Sequence, residues 1–258
     1  MKIIDWNISY AGNPTNKFEY LKSKFDKATI AILQEVTPEQ FKVLNSCFRD
    51  IANIKYSLKY RKPGKFDTKQ RQLGVAILAT KDIEIVKTKC LDRCLLPDRT
   101  LMVDIKYKNK ILRVMGLHSI TGCDHKKAKS IQFLSFAEAI DEYKPDIVTF
   151  DANEPDIDHY DINNMTFFTG NKDNGKAART FFETLINNNL HDSLTEKYDS
   201  SKYKEGEPLA ISHVINGKLK KRYDFVFTNK KIKECSYYYN ESIKAGSDHA
   251  LIEVMVWF

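Results

Sequence analysis

Ser247-Asp248-His249 stands immediately before the run Ala250-Leu251-Ile252-Glu253-Val254-Met255-Val256-Trp257-Phe258. A run this apolar reads as a buried strand, so its first residues sit at one end of a sheet. An aspartate and a histidine at the mouth of a buried strand are placed for chemistry, although a capping turn would use the same residues. The pattern recurs towards the N-terminus. Lys2–Ile8 reads as a strand carrying Asn7, and Ala28–Leu33 ends in Gln34-Glu35. Ile111–Leu117 leads into His118, Ile147–Phe150 into Asp151 with Asn153 close behind, and Asp224 lies in a strand over Leu219–Thr228.

The stretches between complete the outline. Lys17–Lys27 has helical spacing, with Phe18, Leu21 and Phe25 on one face. Thr37-Pro38-Glu39-Gln40 carries an N-cap, a first-turn proline and a capping-box glutamine. Strands are expected from Tyr56 to Leu78 around a basic loop holding Arg61, Lys62, Lys65, Lys69 and Arg71. More follow over Ile83–Lys89 and Thr100–Tyr107, the latter turning at Lys108-Asn109-Lys110 into the strand ending at His118. Helices are expected over Lys126–Tyr143, with Ile131, Leu134, Phe136, Ala137 and Ile140 apolar, and over Ala177–Asn187. Asn216-Gly217 predicts a hairpin turn. Many strands in hairpins with a few helices between them predict an α/β fold. Two mainly antiparallel sheets would pack face to face between helices, a four-layer sandwich. With no repeat or linker, residues 1–258 read as a single domain.

The chain has 258 residues, 42% of them hydrophobic, too apolar for disorder, and a formal net charge of +7. That charge favours a polyanionic partner such as nucleic acid, against the plainer reading of a solvated lysine-rich surface. No stretch reaches membrane-span length, and the start Met1-Lys2-Ile3-Ile4-Asp5 has no signal-peptide pattern. Cys47, Cys90, Cys94, Cys123 and Cys235 lack framework or zinc spacing, so they read as reduced thiols of a cytoplasmic protein.

If the polar strand ends converge, they form a pocket of hard oxygen donors with two imidazoles. Glu35, Asp151, Asp248 and the amide oxygens of Asn7 and Asn153 suit Mg²⁺ or Mn²⁺ and do not make a structural zinc site. His118, His249 and Asp224 add acid–base capacity. The set fits metal-assisted attack of water on phosphorus.

The ordered set Asp5-Trp6-Asn7, Leu33-Gln34-Glu35, Gly74-Val75-Ala76-Ile77-Leu78, Leu117-His118-Ser119, Asp151-Ala152-Asn153-Glu154-Pro155, Tyr223-Asp224-Phe225-Val226-Phe227 and Ser247-Asp248-His249 resembles the endonuclease/exonuclease/phosphatase superfamily. The resemblance implies the deoxyribonuclease I-like fold. It implies Glu35 as principal metal ligand with Asn7 and Asp248 beside it. Asp151 and Asn153 would hold the scissile phosphate and the attacking water, or a second metal. His249 would be the base, or a phosphate contact when protonated, with Asp224 fixing its tautomer. His118 would contact the phosphate or assist the leaving group, and Arg99, entering the strand that starts at Thr100, would be a phosphate contact. Phe150 stands where the family usually has glycine, which would shift the Asp151 loop or wall the pocket. No acid supporting His118 is visible before Gly74.

Three functions stay open. One is a nuclease on DNA or RNA, with Lys218, Lys220, Lys221 and Arg222, or Lys172, Lys176 and Arg179, tracking phosphates. Another is a phosphatase or phosphodiesterase on a small phosphate ester or lipid head group. The third is a non-catalytic binding module. Oligomeric state is not readable. His125, His159, His191 and His213 read as surface or satisfied polar residues, and Tyr237-Tyr238-Tyr239 as strand packing.

Overall fold

The computed structural model describes residues 1–62, 72–122, 127–169 and 173–257. One six-stranded sheet has the order β13 (Ile232–Tyr238), β14 (Leu251–Val256), β1 (Lys2–Asn7), β2 (Thr29–Val36), β4 (Gly74–Thr80), β3 (Ala52–Tyr56). The second runs β5 (Glu84–Lys89), β6 (Thr100–Tyr107), β7 (Lys110–His118), β8 (Ile147–Asp151), β12 (Asp224–Thr228), β9 (His191–Asp192). Within the two sheets β1–β2 and β7–β8 pair in parallel and the other ladders antiparallel. β10 (His213–Ile215) and β11 (Leu219–Lys221) form a separate hairpin. Its turn puts Asn216 and Gly217 at φ 51 and 67, the left-handed geometry that Asn-Gly tolerates.

Period-2 alternation divides each strand between layers. Ile3 and Ile32 face Val114, Ile147 and Val226 between the sheets. Ile4, Trp6 and Leu33 face outwards onto α1 (Pro14–Ser23) and α2 (Pro38–Phe48). Val148, Phe150 and Phe225 face outwards onto α4 (Lys127–Tyr143) and α5 (Lys176–Asn187). Two short helices, α3 (Ser57–Tyr60) and α6 (Tyr239–Ala245), complete the six among the described residues. The layers are therefore helix, sheet, sheet, helix. At Gly116 a Cβ would meet Ile32 Cγ2 at 2.5 Å, so glycine sets how closely the sheets approach. Among the described residues no helix is long and apolar enough to cross a membrane.

The capping box forms as expected, with Thr37 Oγ1 accepting from Gln40 N at 3.1 Å and Gln40 Oε1 accepting from Thr37 N at 2.9 Å. Several expectations need correction. Tyr56 ends a strand that begins at Ala52, and a helical turn follows it; Lys65, Lys69 and Arg71 lie outside the described residues. On α4 the core face is Phe133, Phe136, Ala137 and Ile140, while Ile131 and Leu134 are exposed. The strand expected over Leu219–Thr228 is broken, because Ser212 Oγ takes the N–H groups of Tyr223 and Asp224 and turns the chain from hairpin into sheet. Phe150 neither walls a pocket nor moves the Asp151 loop. It points outwards, stacked 5.4 Å from Phe225 and edge-on to Phe181 at 5.0 Å.

Candidate active site

The inward-facing rows of apolar residues end in polar ones at a single end of the sandwich. β8 is the reference strand, with His118 and Asp224 both paired to Asp151. Parallel pairing with β7 and antiparallel pairing with β12 therefore put three functional side chains in one lateral row. The facing sheet supplies Asn7 from the end of β1, whose Nδ2 donates to Asp151 Oδ2 at 2.9 Å. Glu35 comes from a bulge: the β2–β4 register slips between Leu33 and Val36, and Glu35 has φ 58. A non-glycine residue in the left-handed region re-aims its side chain, a recurrent device beside active sites. Tyr10 N holds Glu35 Oε2 at 3.0 Å.

Asn153 also takes a left-handed φ of 50, which Asn tolerates. Its N–H donates to Asp151 Oδ1 at 2.8 Å, and its Nδ2 to Ser119 O at 3.1 Å. Beneath it, Lys129 and Glu154 form a buried ion pair at 3.0 Å, and Lys129 Nζ donates to Asn153 O at 2.6 Å. His249 is fixed at the backbone by Ser247. The Ser247 hydroxyl accepts from His249 N at 3.1 Å and donates to Asn7 O at 2.6 Å. Trp6 Nε1 donates to His249 O at 3.0 Å. Gln132 Nε2 likewise donates to His118 O at 3.1 Å. Ser247 stands in the quoted Ser247-Asp248-His249 motif, but the supporting roles of Ser247, Gln132 and Lys129 carry no spacing that marks them.

The titratable groups differ sharply in state. His249 Nδ1 lies 2.8 Å from a carboxylate oxygen of Asp224, which is fully buried. Burial works against the charge of His249, but the Asp224 and Asp151 carboxylates outweigh it and raise its pKa to about 10. With Nδ1 engaged, Nε2 is the atom left for a substrate. Asp151 is raised to about 7 by burial and then by Asp224. His118 is pushed well below its usual range by burial and by the Arg99 guanidinium, so it is a neutral imidazole. Arg99 Nη1 sits 3.0 Å from Nδ1 and 3.3 Å from Nε2 of His118, and Nε2 lies 3.6 Å from Glu35 Oε1 and 3.8 Å from Asp151 Oδ2. These are the acids beside His118 that the stretch before Gly74 does not provide.

Asp248 is exposed beside this group, and its carbonyl accepts from His213 Nδ1 at 3.1 Å. Ligand atoms of Asp151, Asp224 and His249 lie within 4.8 Å of one another, as do those of His213, Asp248 and His249. His213, read as a surface or satisfied polar residue, is half-buried, and its ring stacks on His249 at 4.4 Å. His191 is exposed, while Asp192 serves Arg222. Arg179 does not offer a free phosphate contact, because its guanidinium donates to Ile162 O and Met165 O; Lys172 lies outside the described residues.

Behind the row, Asp5 is fully buried. Gln34 Nε2 donates to its Oδ1 at 2.6 Å, while Asp5 Oδ2, Gln34 Oε1 and Asp224 Oδ1 lack hydrogen-bond partners among the described residues. Burial first, then the Asp224 charge, hold the Asp5 pKa well above the carboxylate range. Above the unfolded value the unfolded chain releases this proton and the folded chain keeps it, so stability falls as pH rises until the folded group titrates. Asp5→Asn removes that dependence and keeps a donor. Its stability relative to wild type should improve by about 1.4 kcal/mol per pH unit through that window. Urea unfolding at a series of pH values measures this, and a constant difference between the two proteins would refute it.

No protein-family model matches the sequence, and no curated relative matches it. Solved structures do. An AP endonuclease from Archaeoglobus fulgidus superposes with TM-score 0.69 at 15% identity, over 100% of both chains. An endonuclease/exonuclease/phosphatase family protein from Leptotrichia buccalis gives 0.64 at 18% identity, also over 100% of both. D. rerio TDP2, solved with a single-strand DNA product, gives 0.63 at 15% identity, over 98% of this chain and 97% of that one. Its structural neighbours across the whole chain are thus endonuclease/exonuclease/phosphatase proteins, and its fold is their deoxyribonuclease I-like fold.

Proposed function

We propose that the protein is a divalent-metal-dependent nuclease that hydrolyses phosphodiester bonds in DNA or RNA. One observation carries this reading: Asp224, in one row with Asp151 and His118, holds the His249 imidazolium that reaches it from the sheet carrying Asn7 and Glu35. The neighbours of the same fold include an AP endonuclease and a TDP2 solved with a DNA product, and the +7 charge is in keeping with a polyanion.

The donor set fits a hard cation. It offers carboxylate, amide and imidazole groups, with no thiolate among the described members. The raised pKa of Asp151 also marks an excess of buried negative charge that a dication would relieve. Glu35, Asn7 and Asp248 would hold Mg²⁺, or Mn²⁺ in its place. Such an ion, when bound, supplies charge stabilisation at the phosphate and leaving oxygens. The chain's own groups do the rest. Asp151, ionised, orients the attacking water and draws its proton, with Asn153 beside it. His249, protonated and fixed by Asp224, places positive charge on a phosphate oxygen through Nε2. His118, a neutral imidazole beside Arg99, contacts the phosphate or assists the leaving group.

The decisive experiment incubates purified protein with single- and double-stranded DNA, RNA and a panel of small phosphate esters, in Mg²⁺, Mn²⁺ or EDTA. The expected result is cutting of a polymer that EDTA abolishes and added Mg²⁺ restores. Intact polymers alongside a cleaved small ester would replace the nuclease with a phosphatase or phosphodiesterase.

A further inference from the structure

Two neighbouring backbone amides in the loop after β1 aim two of the candidate metal ligands. Ser9 N donates to Asn7 Oδ1 at 2.9 Å, and Tyr10 N donates to Glu35 Oε2 at 3.0 Å. Each bond occupies one acceptor position and so fixes where the remaining lone pairs point. Ser9 takes a φ of 55, a left-handed conformation that serine keeps only where its surroundings over-determine it. The groups that hold it come from two helices. Ser9 O accepts from Gln40 Nε2 of α2 at 2.8 Å and from Lys17 Nζ of α1 at 2.9 Å. Lys17 Nζ also donates to Ala11 O, so the ammonium grips the carbonyls on either side of Tyr10. Lys17 is fully buried, which lysine almost never is without partners, and here the partners are loop carbonyls. The same side chain underlies the other ligand loop. Gly246, with φ 99, caps α6 and leads into Ser247-Asp248-His249. A Cβ added at Gly246 would stand 3.6 Å from Lys17 Cε, and one added at Gly12 would stand 3.6 Å from Lys17 Nζ and 3.0 Å from Gly246 O.

We propose that Lys17 is a positioning residue of the metal site: its ammonium locks the loop after β1 and, through Ser9 N and Tyr10 N, sets Asn7 and Glu35 for a divalent cation. The inference rests on the metal-dependent reading of the site and adds a residue that touches neither metal nor substrate. Two effects of opposite sign meet at this side chain. Its charge repels a dication, because it lies close enough to the site for the Asp248 and Glu35 carboxylates to oppose the fall to about 8 that burial imposes on its pKa. Its bonds favour the dication, because they hold the two ligands in place. Removing the ammonium would therefore tighten metal binding if charge were all it supplied, and weaken it if positioning dominates. Outer-shell partners of metal ligands are worth about 10–100-fold in affinity, and the repulsion is already partly offset by the two carboxylates, so positioning wins.

The test titrates Mn²⁺ into wild type and Lys17→Met, counting the free ion by electron paramagnetic resonance, with a melting curve for each protein. Methionine fills most of the same space, and Ser9 O keeps Gln40 as a donor, so the fold should hold. The Kd for Mn²⁺ should rise about 10–100-fold. In hydrolysis assays the Mg²⁺ concentration giving half-maximal rate should rise with it, and the deficit should narrow as Mg²⁺ is increased. Lys17→Arg keeps the charge but replaces a compact ammonium by a longer planar fork, so its Kd should rise as well. An unchanged or lower Kd in Lys17→Met, with wild type binding Mn²⁺, overturns the positioning role and leaves the metal site as assigned. If Lys17→Met does not fold, Lys17→Arg decides in its place, and wild-type affinity there overturns the role. A wild type that binds no Mn²⁺ overturns both the role and the metal-dependent reading.

Discussion

His249→Ala is expected to lower kcat by about 10²–10³, the usual cost of removing one preorganised group that stabilises transition-state charge. Asp224 is fully buried, and among the described residues His249 is the cation bonded to its carboxylate. The pair therefore works as a held imidazolium. Its pKa of about 10 means that the charge is present throughout the neutral range. Asp151, raised to about 7, is the group that changes state near neutrality. The signs follow. Activity should rise as pH climbs through the Asp151 titration and fall as it passes through that of His249, giving a bell-shaped profile. A bound cation shifts both limbs downwards. In His249→Ala the alkaline limb should vanish together with most of the rate.

Stability complicates this variant. A histidine with a raised folded pKa contributes stability that is fully present below its unfolded value near 6.5 and is lost as pH rises through about 10. Alanine removes that contribution and leaves Asp224 buried without its partner. His249→Gln provides the control, because its amide can still donate to Asp224 but carries no charge. A native-like melting curve with activity down at least 10²-fold identifies the imidazolium as functional. Near wild-type activity in His249→Gln would show that the charge plays no part.

The fold was readable because the central strands β1, β2, β7 and β8 are short apolar runs with polar residues at their ends. Asp151 and Asp224 could be picked out for the same reason: in a strand filled with Val, Ile and Phe, a carboxylate interrupts the pattern. What was missed falls into two kinds. On α4, Ile131 and Leu134 share helical spacing with core residues, and periodicity alone does not say which apolar stripe a sheet will cover. Phe133 lies on the covered stripe. The supports of the site were hidden for another reason. Ser247, Ser212, Gln132 and Lys129 act by bonding backbone atoms far away in the chain, and no local pattern encodes a partner 240 residues distant, as Ser247 has in Asn7. His213 was passed over because a histidine in a polar hairpin looks solvated; its contact exists only once β10 bridges to His249. Phe150 misled because a departure from the family pattern drew attention to the pocket, whereas alternation along β8 had already turned it away.

Arg222→Met should destabilise the protein by about 3–5 kcal/mol, although methionine nearly preserves the apolar volume. Arg222 is fully buried. It binds Asp158 through two bonds, Nε to Oδ2 at 2.9 Å and Nη2 to Oδ1 at 2.8 Å, and Asp192 through Nη1 at 2.6 Å. Its plane also lies 4.4 Å from the Phe225 ring. Without the guanidinium, two nearly buried carboxylates face each other across an apolar gap, and each must take up a proton or draw in water. The penalty arises from the orphaned acids more than from lost attraction. Asp158→Asn and Asp192→Asn, added to Arg222→Met, should therefore restore a large part of the stability. For a chain of this size the single variant should melt roughly 10 °C lower. Chemical denaturation of the single and triple variants checks both values. A triple variant no more stable than the single one would mean that the arginine's own contacts, rather than uncompensated charge, hold this corner. The location gives the result functional weight. Arg222 lies two residues before Asp224, and Asp158 anchors the loop that leaves Asp151. The ion triad thus joins the two segments on which the Asp151–Asp224–His249 row depends. Arg222→Lys, which retains one charge but not the planar fork, should fall between the two extremes.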